Sequence, residues 1–217
     1  MTLYLIRHAE ARHNLPDPAA CPYDPRFEPY EHRDHSLTPQ GERQADLTGR
    51  LLRELHFDAA LVSPYHRTIA TAAAIMRYQR NKIPFELLSE LEECGSDTFT
   101  MLPEALAKSI YPHLILPQTP TALGKESDHE RWLRAERVAA SVRERYRGTE
   151  SVLIVSHGHF LSSYLTAAFL GLSEEKAAAL CLGARNAAVT RIQYTDTRII
   201  LDTLNESVHI APLRPLE

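Results

Sequence analysis

The sequence predicts an α/β fold of three layers, in which helices cover both faces of a mostly parallel central sheet with an antiparallel edge. Three short apolar runs have the length and composition of buried strands, at residues 3–6, 59–62 and 152–155. Helical patterns follow the second and third runs, which is typical of parallel strands joined by crossover helices. Residues 187–194 and 198–204 predict a hairpin, which would add the antiparallel strands at one edge.

Capping residues and apolar stripes predict the helices between these strands. Thr38 is suited to cap a helix that has Pro39 at its first position. Another helix is predicted to begin near Tyr65, because apolar residues recur there at the spacing of a core-facing helix. Further helical patterns cover residues 104–110, 127–147 and 160–170. Residues 83–88 predict a weak edge strand.

Length and composition favour one globular unit without affinity for nucleic acid or membranes. At 217 residues the chain suits a single α/β domain, which we expect to cover residues 1–217. The net charge of −4 and the interleaved charges exclude a basic nucleic-acid footprint. Histidine and serine interrupt the apolar stretch at 152–172, and the start of the chain lacks the pattern of a signal peptide. The oligomeric state stays open, with a homodimer as one possibility.

The cysteines favour a reducing compartment. Cys21, Cys94 and Cys181 are odd in number and widely separated, and they form neither a metal-ligand nor a redox spacing. Thiols of this kind are typical of proteins that keep their cysteines reduced. We therefore expect a cytoplasmic protein.

Four basic or imidazole side chains follow the ends of the three predicted strands. Arg7 and His8 come directly after the first run, Arg67 follows the second, and His157 follows the third. Ligands of open parallel sheets bind beyond the carboxyl ends of the strands, so we expect these side chains to meet in one crevice. An anion must then join them, and two planar guanidinium groups suit a phosphate best. The sequence therefore predicts a pocket for a phosphoryl group.

Several ordered motifs resemble those of the histidine phosphatase superfamily, whose fold is called phosphoglycerate mutase-like. The matching segments are Arg7-His8-Ala9-Glu10 with Asn14, Leu37-Thr38-Pro39-Gln40-Gly41, Ser63-Pro64 with Arg67-Thr68, Gly124-Lys125-Glu126-Ser127, and Ser156-His157-Gly158. The resemblance extends over residues 2–210, with the motifs in the expected order. It implies an enzyme of the phosphatase branch, which acts on phosphomonoesters through a phosphohistidine.

The pocket residues can be given roles in such a reaction. His8 would attack phosphorus as a neutral imidazole, because the charges of Arg7 and Arg67 lower its pKa. Arg7, Arg67 and His157 would hold the three equatorial oxygens, and Asn14 would donate a further hydrogen bond. These groups supply the positive charge that a metal supplies elsewhere, so we expect no metal and no cofactor. The partner would be a small phosphorylated substrate, and phosphate, vanadate or sulfate could occupy its site.

The general acid is expected among three glutamates after the predicted strand at 83–88. In the family, the proton donor is a Glu in an apolar-x-Glu-apolar setting, and Leu88-Ser89-Glu90-Leu91 fits this pattern best. We therefore take Glu90 as the general acid and base. Glu92 and Glu93 stay as alternatives, because Gly95 lies five residues after Glu90 and the family usually has a glycine four residues after the acid.

Two proline-rich segments are expected to set the choice of substrate. The first, at about 15–35, leaves directly after Asn14 and would form a wall or flap over the pocket. The second, at about 96–123, resembles the variable cap of the family. His159 is predicted to bind substrate at the mouth of the pocket, unless it only begins the following helix. His66, the neighbour of Arg67, is a weaker candidate for the pocket lining.

Three other functions would use a similar pocket. A phosphoglycerate mutase-type phosphoryl transferase needs groups that bind a substrate carboxylate, but residues 91–94 include two glutamates that would repel it. A metallohydrolase has little support, because the only His-x-His pair is His157 with His159. A non-enzymatic module that binds phosphorylated ligands would have lost the acid. The sequence therefore favours a phosphatase over these alternatives.

Overall fold

The computed structural model describes residues 1–30, 34–93, 101–116, 124–149 and 151–213. The seven strands in this part of the chain form one sheet in the order β4-β3-β2-β5-β1-β6-β7. The strands are β1 (Thr2–Arg7), β2 (Ala59–Val62), β3 (Phe85–Leu87), β4 (Leu114–Ile115), β5 (Ser151–Ser156), β6 (Val189–Tyr194) and β7 (Ile199–Glu206). β1 to β5 run parallel, and β6 and β7 are antiparallel to their neighbours, as predicted.

One strand differs from its predicted place. The segment at 83–88 was expected at an edge of the sheet, but β3 lies between β2 and β4. The edge is formed instead by β4, which pairs with β3 at only two positions. A strand of two residues carries no alternation that a sequence pattern could detect. It lies within the segment that was expected to be a variable cap.

The helices lie close to their predicted positions, except that α6 was not predicted. They are α1 (Pro39–Leu51), α2 (His66–Met76), α3 (Glu104–Ile110), α4 (Asp128–Arg145), α5 (Gly158–Phe160, a π-helical turn at Leu161–Leu165, and Thr166–Phe169) and α6 (Glu174–Ala178). Thr38 caps α1 as predicted, since its hydroxyl accepts a hydrogen bond from the Gly41 N–H at 2.9 Å. Ser127 and Glu130 form a capping box at the start of α4.

Helices cover both faces of the sheet, so the predicted three layers are confirmed. On one face, Trp132 of α4 and Phe160 of α5 pack in a common core with Ile154 of β5. On the other face, Ile69 of α2 shares a core with Ile6 of β1. Alternate residues of the central strands therefore enter different cores, and the strands are buried on both sides.

A short 3₁₀ helix at Arg12–Asn14 precedes the first proline-rich segment, which contains two more at Pro18–Ala20 and Pro25–Tyr30. Phe27 is buried, and its ring stacks on His66 at the start of α2, with 4.1 Å between the ring centroids. Parts of both proline-rich segments, 31–33, 96–100 and 117–123, lie outside the described residues.

Two further expectations from the sequence concern the state of the cysteine thiols and the presence of membrane-spanning helices. Cys21 and Cys181 are free thiols, and Cys94 lies outside the described residues. In the part of the chain that the structure describes, no helix combines the length and the apolar character that a membrane crossing requires.

Candidate active site

The carboxyl ends of β1 and β5 bring two histidines together. Arg7 of β1 pairs with Ser156 of β5, so the residues that follow, His8 and His157, leave the sheet side by side. Their ring centroids are 5.3 Å apart, and both side chains are completely buried. Arg67, in the first turn of α2 beyond β2, donates a hydrogen bond from Nη2 to Nδ1 of His157 at 3.1 Å. The structure thus gathers the four residues that the strand ends predicted.

The hydrogen bonds of His8 determine which of its nitrogens can react. Nδ1 lies 2.8 Å from the carbonyl oxygen of Ala9, and a carbonyl can only accept, so Nδ1 carries the proton. Nε2 is then unprotonated, and it is buried without a hydrogen-bond partner among the described residues. Burial, followed by the charges of Arg67 and Arg7, holds the pKa of His8 well below its usual range. The ring is therefore neutral near pH 7, with a free lone pair on Nε2.

Arg7 is fixed against the start of α5. Its Nη1 donates to the carbonyl oxygen of Ala184 at 2.9 Å. Its guanidinium also lies against Gly158, where an added Cβ would come within 2.9 Å of the Cζ atom of Arg7. Glycine directly after His157 therefore leaves room for the guanidinium, which a side chain there would displace.

Arg67 is held by an acidic residue that sequence reasoning missed. Asp34, which is completely buried, forms an ion pair with Arg67 at 3.5 Å between Oδ1 and Nη1. Its Oδ2 accepts a hydrogen bond of 2.6 Å from the His66 N–H. Tyr65, the N-cap residue of α2, offers no side-chain cap, so the Asp34 carboxylate stabilises this helix end. More than thirty residues separate Asp34 from Arg67, and no local pattern could have paired them.

His13 is a second residue that the sequence analysis overlooked. Its ring centroid lies 5.5 Å from that of His8 and 5.4 Å from that of His35. Although His13 is an exposed residue, desolvation of its ring by the surrounding atoms, with the charges of Arg67, His35 and Arg7, lowers its pKa to about 3. A neutral imidazole therefore stands beside His8. Its position directly before Asn14, in the first motif, was the signal that could have identified it.

The three candidate acids have different surroundings. Glu93 reaches the pocket, since its Oε1 accepts a hydrogen bond of 2.7 Å from the His159 N–H and its charge acts on Arg7 and Arg67. The structure does not bring Glu90 there. Its side chain is exposed and lines a separate cavity of about 200 Å³ beside α4. The 3₁₀ turn at Ser89–Leu91 changes the direction of successive side chains, which a linear motif does not reveal.

Glu92, which lies between Glu90 and Glu93 in the chain, has a buried carboxyl group. It is completely inaccessible, and neither of its carboxyl oxygens has a hydrogen-bond partner among the described residues. Burial raises its pKa to about 8, although the charge of Arg134 acts in the opposite direction. Arg134 donates to the carbonyl oxygens of Glu90 and Glu92 at 2.6 and 2.8 Å, and its guanidinium also binds both carboxylate oxygens of Glu126. A buried arginine thus holds the backbone that carries the candidate acids.

The two residues predicted to bind substrate make other contacts in the structure. The Asn14 side-chain oxygen accepts hydrogen bonds from the Ala11 N–H at 3.0 Å and from the Asn186 amide at 3.3 Å, so it mainly orders the loop after His8. The ring of His159 packs edge-on against Tyr164 and lines a separate cavity of about 220 Å³. The ring thus borders this separate cavity, and the binding of substrate by His159 stays a prediction.

The predicted role of His66 in lining the pocket also stays a prediction. Its ring lies on Phe27 and borders a cavity of about 590 Å³ that is formed by the proline-rich segment, α1 and α2.

No group of three or more His, Cys, Asp or Glu side chains in the described residues could hold a metal ion.

Comparison with known sequences identifies the family. The sequence profile of the histidine phosphatase superfamily (branch 1) matches residues 3–207, so the chain belongs to this superfamily. This confirms the resemblance that the motifs indicated. A broad-specificity phosphatase of Saccharomyces cerevisiae is 30% identical over 94 residues, which are 42% of this chain and 36% of the yeast protein.

Solved structures share the fold over nearly the whole chain. The α-ribazole phosphatase of Shigella flexneri has a TM-score of 0.67 and 24% identity, with 95% of this chain and 97% of that chain covered. A phosphoglycerate mutase of Bacillus anthracis gives 0.65 and 20%, with 98% and 96% covered. The ecdysone phosphate phosphatase of Bombix mori, solved with tungstate, gives 0.69 and 15%, with 92% of both chains covered. These matches confirm the predicted phosphoglycerate mutase-like fold.

Proposed function

We propose that the protein is a phosphatase that hydrolyses phosphomonoesters through a phosphohistidine formed on Nε2 of His8. One observation carries this proposal. The unprotonated Nε2 is buried without a hydrogen-bond partner in the described part of the chain, the charges of Arg7 and Arg67 act on its ring, and the His157 ring lies beside it. A neutral imidazole surrounded by phosphate-binding groups is the arrangement that nucleophilic attack on phosphorus requires. The phosphatases among the similar proteins support the same reaction.

The reaction would proceed in two displacements. In the first, the lone pair of His8 Nε2 forms a bond to phosphorus while the bond to the leaving oxygen breaks, and that oxygen takes a proton from the acid. In the second, the acid, now a carboxylate, takes a proton from water as the water oxygen bonds to phosphorus. The N–P bond breaks, inorganic phosphate leaves, and His8 returns to its neutral form.

We assign the acid to Glu93 in place of Glu90. A proton donor must come within hydrogen-bond reach of the leaving oxygen, and geometry precedes pKa as a criterion. Glu93 accepts a hydrogen bond from the His159 N–H, two residues from His157. Its charge also favours the protonated form of both pocket arginines. Glu90 faces another cavity. Glu92 stays a second candidate, because burial gives it a pKa of about 8 and so keeps it protonated at neutral pH.

The charged groups would supply most of the rate enhancement. Enzymes accelerate phosphate-monoester hydrolysis by up to about 10²¹-fold, whereas general acid–base catalysis contributes roughly 10² to 10⁴-fold. The remainder must come from covalent catalysis and from stabilisation of the charge on the three equatorial oxygens. Arg7, Arg67 and His157 would provide this stabilisation. The free thiols of Cys21 and Cys181 support the inference that the enzyme works in the cytoplasm.

Trapping the intermediate tests the proposed function. The purified protein is mixed with a ³²P-labelled phosphomonoester, quenched in alkali to preserve phosphohistidine, and digested to locate the label. We expect the label on the peptide that contains His8, turnover that survives EDTA and is inhibited by vanadate, and neither label nor turnover in His8→Ala. The matched control is His129→Ala, because His129 is exposed and pairs with Glu174 on the surface.

The outcomes separate the alternatives. Equal phosphate release by His8→Ala would refute the proposal. Label on His8 that passes to an added alcohol, and not to water, would indicate a phosphoryl transferase. Phosphate binding without label would indicate a binding module.

A further inference from the structure

Ser63 occupies an unusual position behind one of the pocket histidines. It follows β2 directly, is completely buried, and has its Oγ 2.8 Å from Nε2 of His157. Its backbone is fixed, since its N–H donates to the Val155 carbonyl at 3.0 Å and its carbonyl accepts from the Thr68 hydroxyl at 2.7 Å. The hydroxyl proton can still rotate, because a serine Oγ both donates and accepts.

The hydrogen bonds of the unliganded pocket define one tautomer of His157. A guanidinium only donates, so Arg67 Nη2, 3.1 Å away, requires a lone pair on Nδ1. The ring is buried among Arg67, His8, His13 and Arg7, and a positive charge on it would be strongly disfavoured. A neutral ring with a bare Nδ1 carries its proton on Nε2. His157 Nε2–H therefore donates to Ser63 Oγ in this state.

The opposite tautomer is needed when phosphate binds. Phosphate oxygens accept hydrogen bonds, so a bare Nδ1 facing them would repel them, and a protonated Nδ1 would bind them. The guanidinium of Arg67, released from Nδ1, would then bind a second oxygen. The ring gives up the proton on Nε2 and takes one on Nδ1 by exchange with water, so its charge does not change.

We propose that Ser63 is a positioning residue that allows His157 to exchange tautomers as phosphate enters the pocket. In the unliganded state its Oγ accepts from Nε2–H, and in the phosphate-bound state its O–H turns to donate to the bare Nε2. A carbonyl oxygen in place of the Ser63 hydroxyl could only accept a hydrogen bond, so it would suit only the state without phosphate. A backbone N–H could only donate, so it would suit only the phosphate-bound state. The inference rests on the proposed function only in that phosphate must occupy this pocket, and it requires no turnover.

Nitrogen NMR of the histidine rings tests the exchange directly. The full-length protein is labelled with ¹⁵N-histidine, and ring shifts are recorded at neutral pH without ligand and with saturating inorganic phosphate. The His157→Asn variant assigns the His157 signals. We expect Nε2 protonated and Nδ1 bare in the free protein, with the pattern reversed by phosphate. An unchanged pattern, or two protonated nitrogens in the phosphate complex, would overturn the proposal.

Substitutions of Ser63 provide a second test of the proposal. Ser63→Ala is expected to weaken phosphate binding about tenfold, which corresponds to about 1.4 kcal/mol, and to leave His157 without the reversed pattern. Ser63→Thr keeps the hydroxyl and should restore both the pattern and the affinity. Wild-type affinity and a reversed pattern in Ser63→Ala would contradict the role of the hydroxyl. If Ser63→Ala does not fold, the wild-type NMR titration still decides.

The two proposals fail separately. A tautomer exchange in a protein that never hydrolyses phosphomonoesters would refute the phosphatase and leave the role of Ser63 intact. Hydrolysis through His8 with a fixed His157 tautomer would refute the role of Ser63 alone.

Discussion

Asp34 and Arg67 form a buried ion pair, with 3.5 Å between Oδ1 and Nη1, that joins the proline-rich segment to the phosphate pocket. The same carboxylate accepts the His66 N–H at the start of α2, so it orients the arginine and the helix that carries it. A buried guanidinium without a counter-charge is costly, and Asp34 supplies that charge before any phosphate is bound. The segment before α1 therefore contributes to the electrostatics of the pocket through Asp34.

Replacing the Asp34 carboxylate should destabilise the unliganded protein and make it depend on phosphate. Removing one partner of a buried pair typically costs about 3 to 5 kcal/mol, so we expect Asp34→Asn to lower the free energy of unfolding by about 3 kcal/mol. Phosphate should stabilise the variant more than the wild type, because its charge replaces the missing carboxylate. Urea unfolding with and without phosphate measures both effects.

The matched control for this prediction is Asp24→Asn. Asp24 pairs with Arg26 on the surface, with both side chains well exposed, and such pairs are worth about 1 kcal/mol or less. Equal stabilisation of Asp34→Asn and wild type by phosphate would show that the ion pair does not tune the pocket.

The assignment of Glu93 predicts a dependence on the leaving group. An alkoxide needs a proton as it leaves and p-nitrophenolate does not, so Glu93→Gln should reduce the turnover of glycerol phosphate by about 10² to 10⁴-fold. With p-nitrophenyl phosphate the first displacement should survive. A burst of p-nitrophenol followed by slow turnover is expected in stopped-flow records, because the second displacement still lacks its base.

Glu90→Gln is the control for the acid, since the Glu90 side chain is exposed and faces a different cavity. We expect it to retain turnover within about twofold, as is usual for surface changes away from a site. A loss of activity in Glu90→Gln that equals the loss in Glu93→Gln would restore the assignment that the motif favoured. A larger loss in Glu92→Gln would move the role to that residue.

Arg134 should be essential for the backbone that carries the acids. It is almost completely buried, binds Glu126 through two parallel hydrogen bonds, and lies over the ring of Phe160 at 4.0 Å. We expect Arg134→Met to lower the free energy of unfolding by about 3 to 5 kcal/mol, because it leaves a buried carboxylate and two backbone carbonyls without their donor. Arg137→Met, on the exposed side of the same helix, should change stability by about 0.5 kcal/mol or less in the same urea titration.

The raised pKa of Glu92 predicts that the folded protein loses stability as the pH rises toward 8. Its pKa is about 8 in the folded protein and 4.5 ordinarily, so the folded state binds the proton more tightly and is weakened as that proton is lost. Between about pH 6.5 and pH 8, the wild type should lose about 1.5 kcal/mol of unfolding free energy relative to Glu92→Gln. Below about pH 6.5 the buried, neutral His8 and His157 act in the opposite direction, because the unfolded chain takes up protons there.

Chemical unfolding at several pH values checks this prediction. Parallel curves for wild type and Glu92→Gln above pH 7 would mean that the carboxyl group is already ionised in the folded protein.

Sequence reasoning was most successful where one local rule decided the structure. Arg7, His8 and His157 could be placed because they end apolar strands, and parallel strands deliver their carboxyl ends to the same edge. Thr38 could be placed because its cap lies within three residues of its partner. Such features depend on neighbouring residues, and the printed sequence contains them.

The remaining parts of the site depend on contacts between distant segments. Asp34 and Arg67 lie far apart in the chain and come together only in the tertiary structure. Arg134 belongs to a row of arginines that resembles a solvated helix face, yet α4 turns this one side chain inward to Glu126. Glu90 matched the motif better than Glu93, but the short 3₁₀ turn directs them to different sides. Periodicity and motifs do not contain this information.

The proton on Nδ1 of His8 is directed to the main-chain oxygen of Ala9. Main-chain atoms persist through every substitution, so the nitrogen of His8 that keeps its lone pair is not chosen by the surrounding side chains. An engineer can therefore exchange those side chains and keep the tautomer of His8.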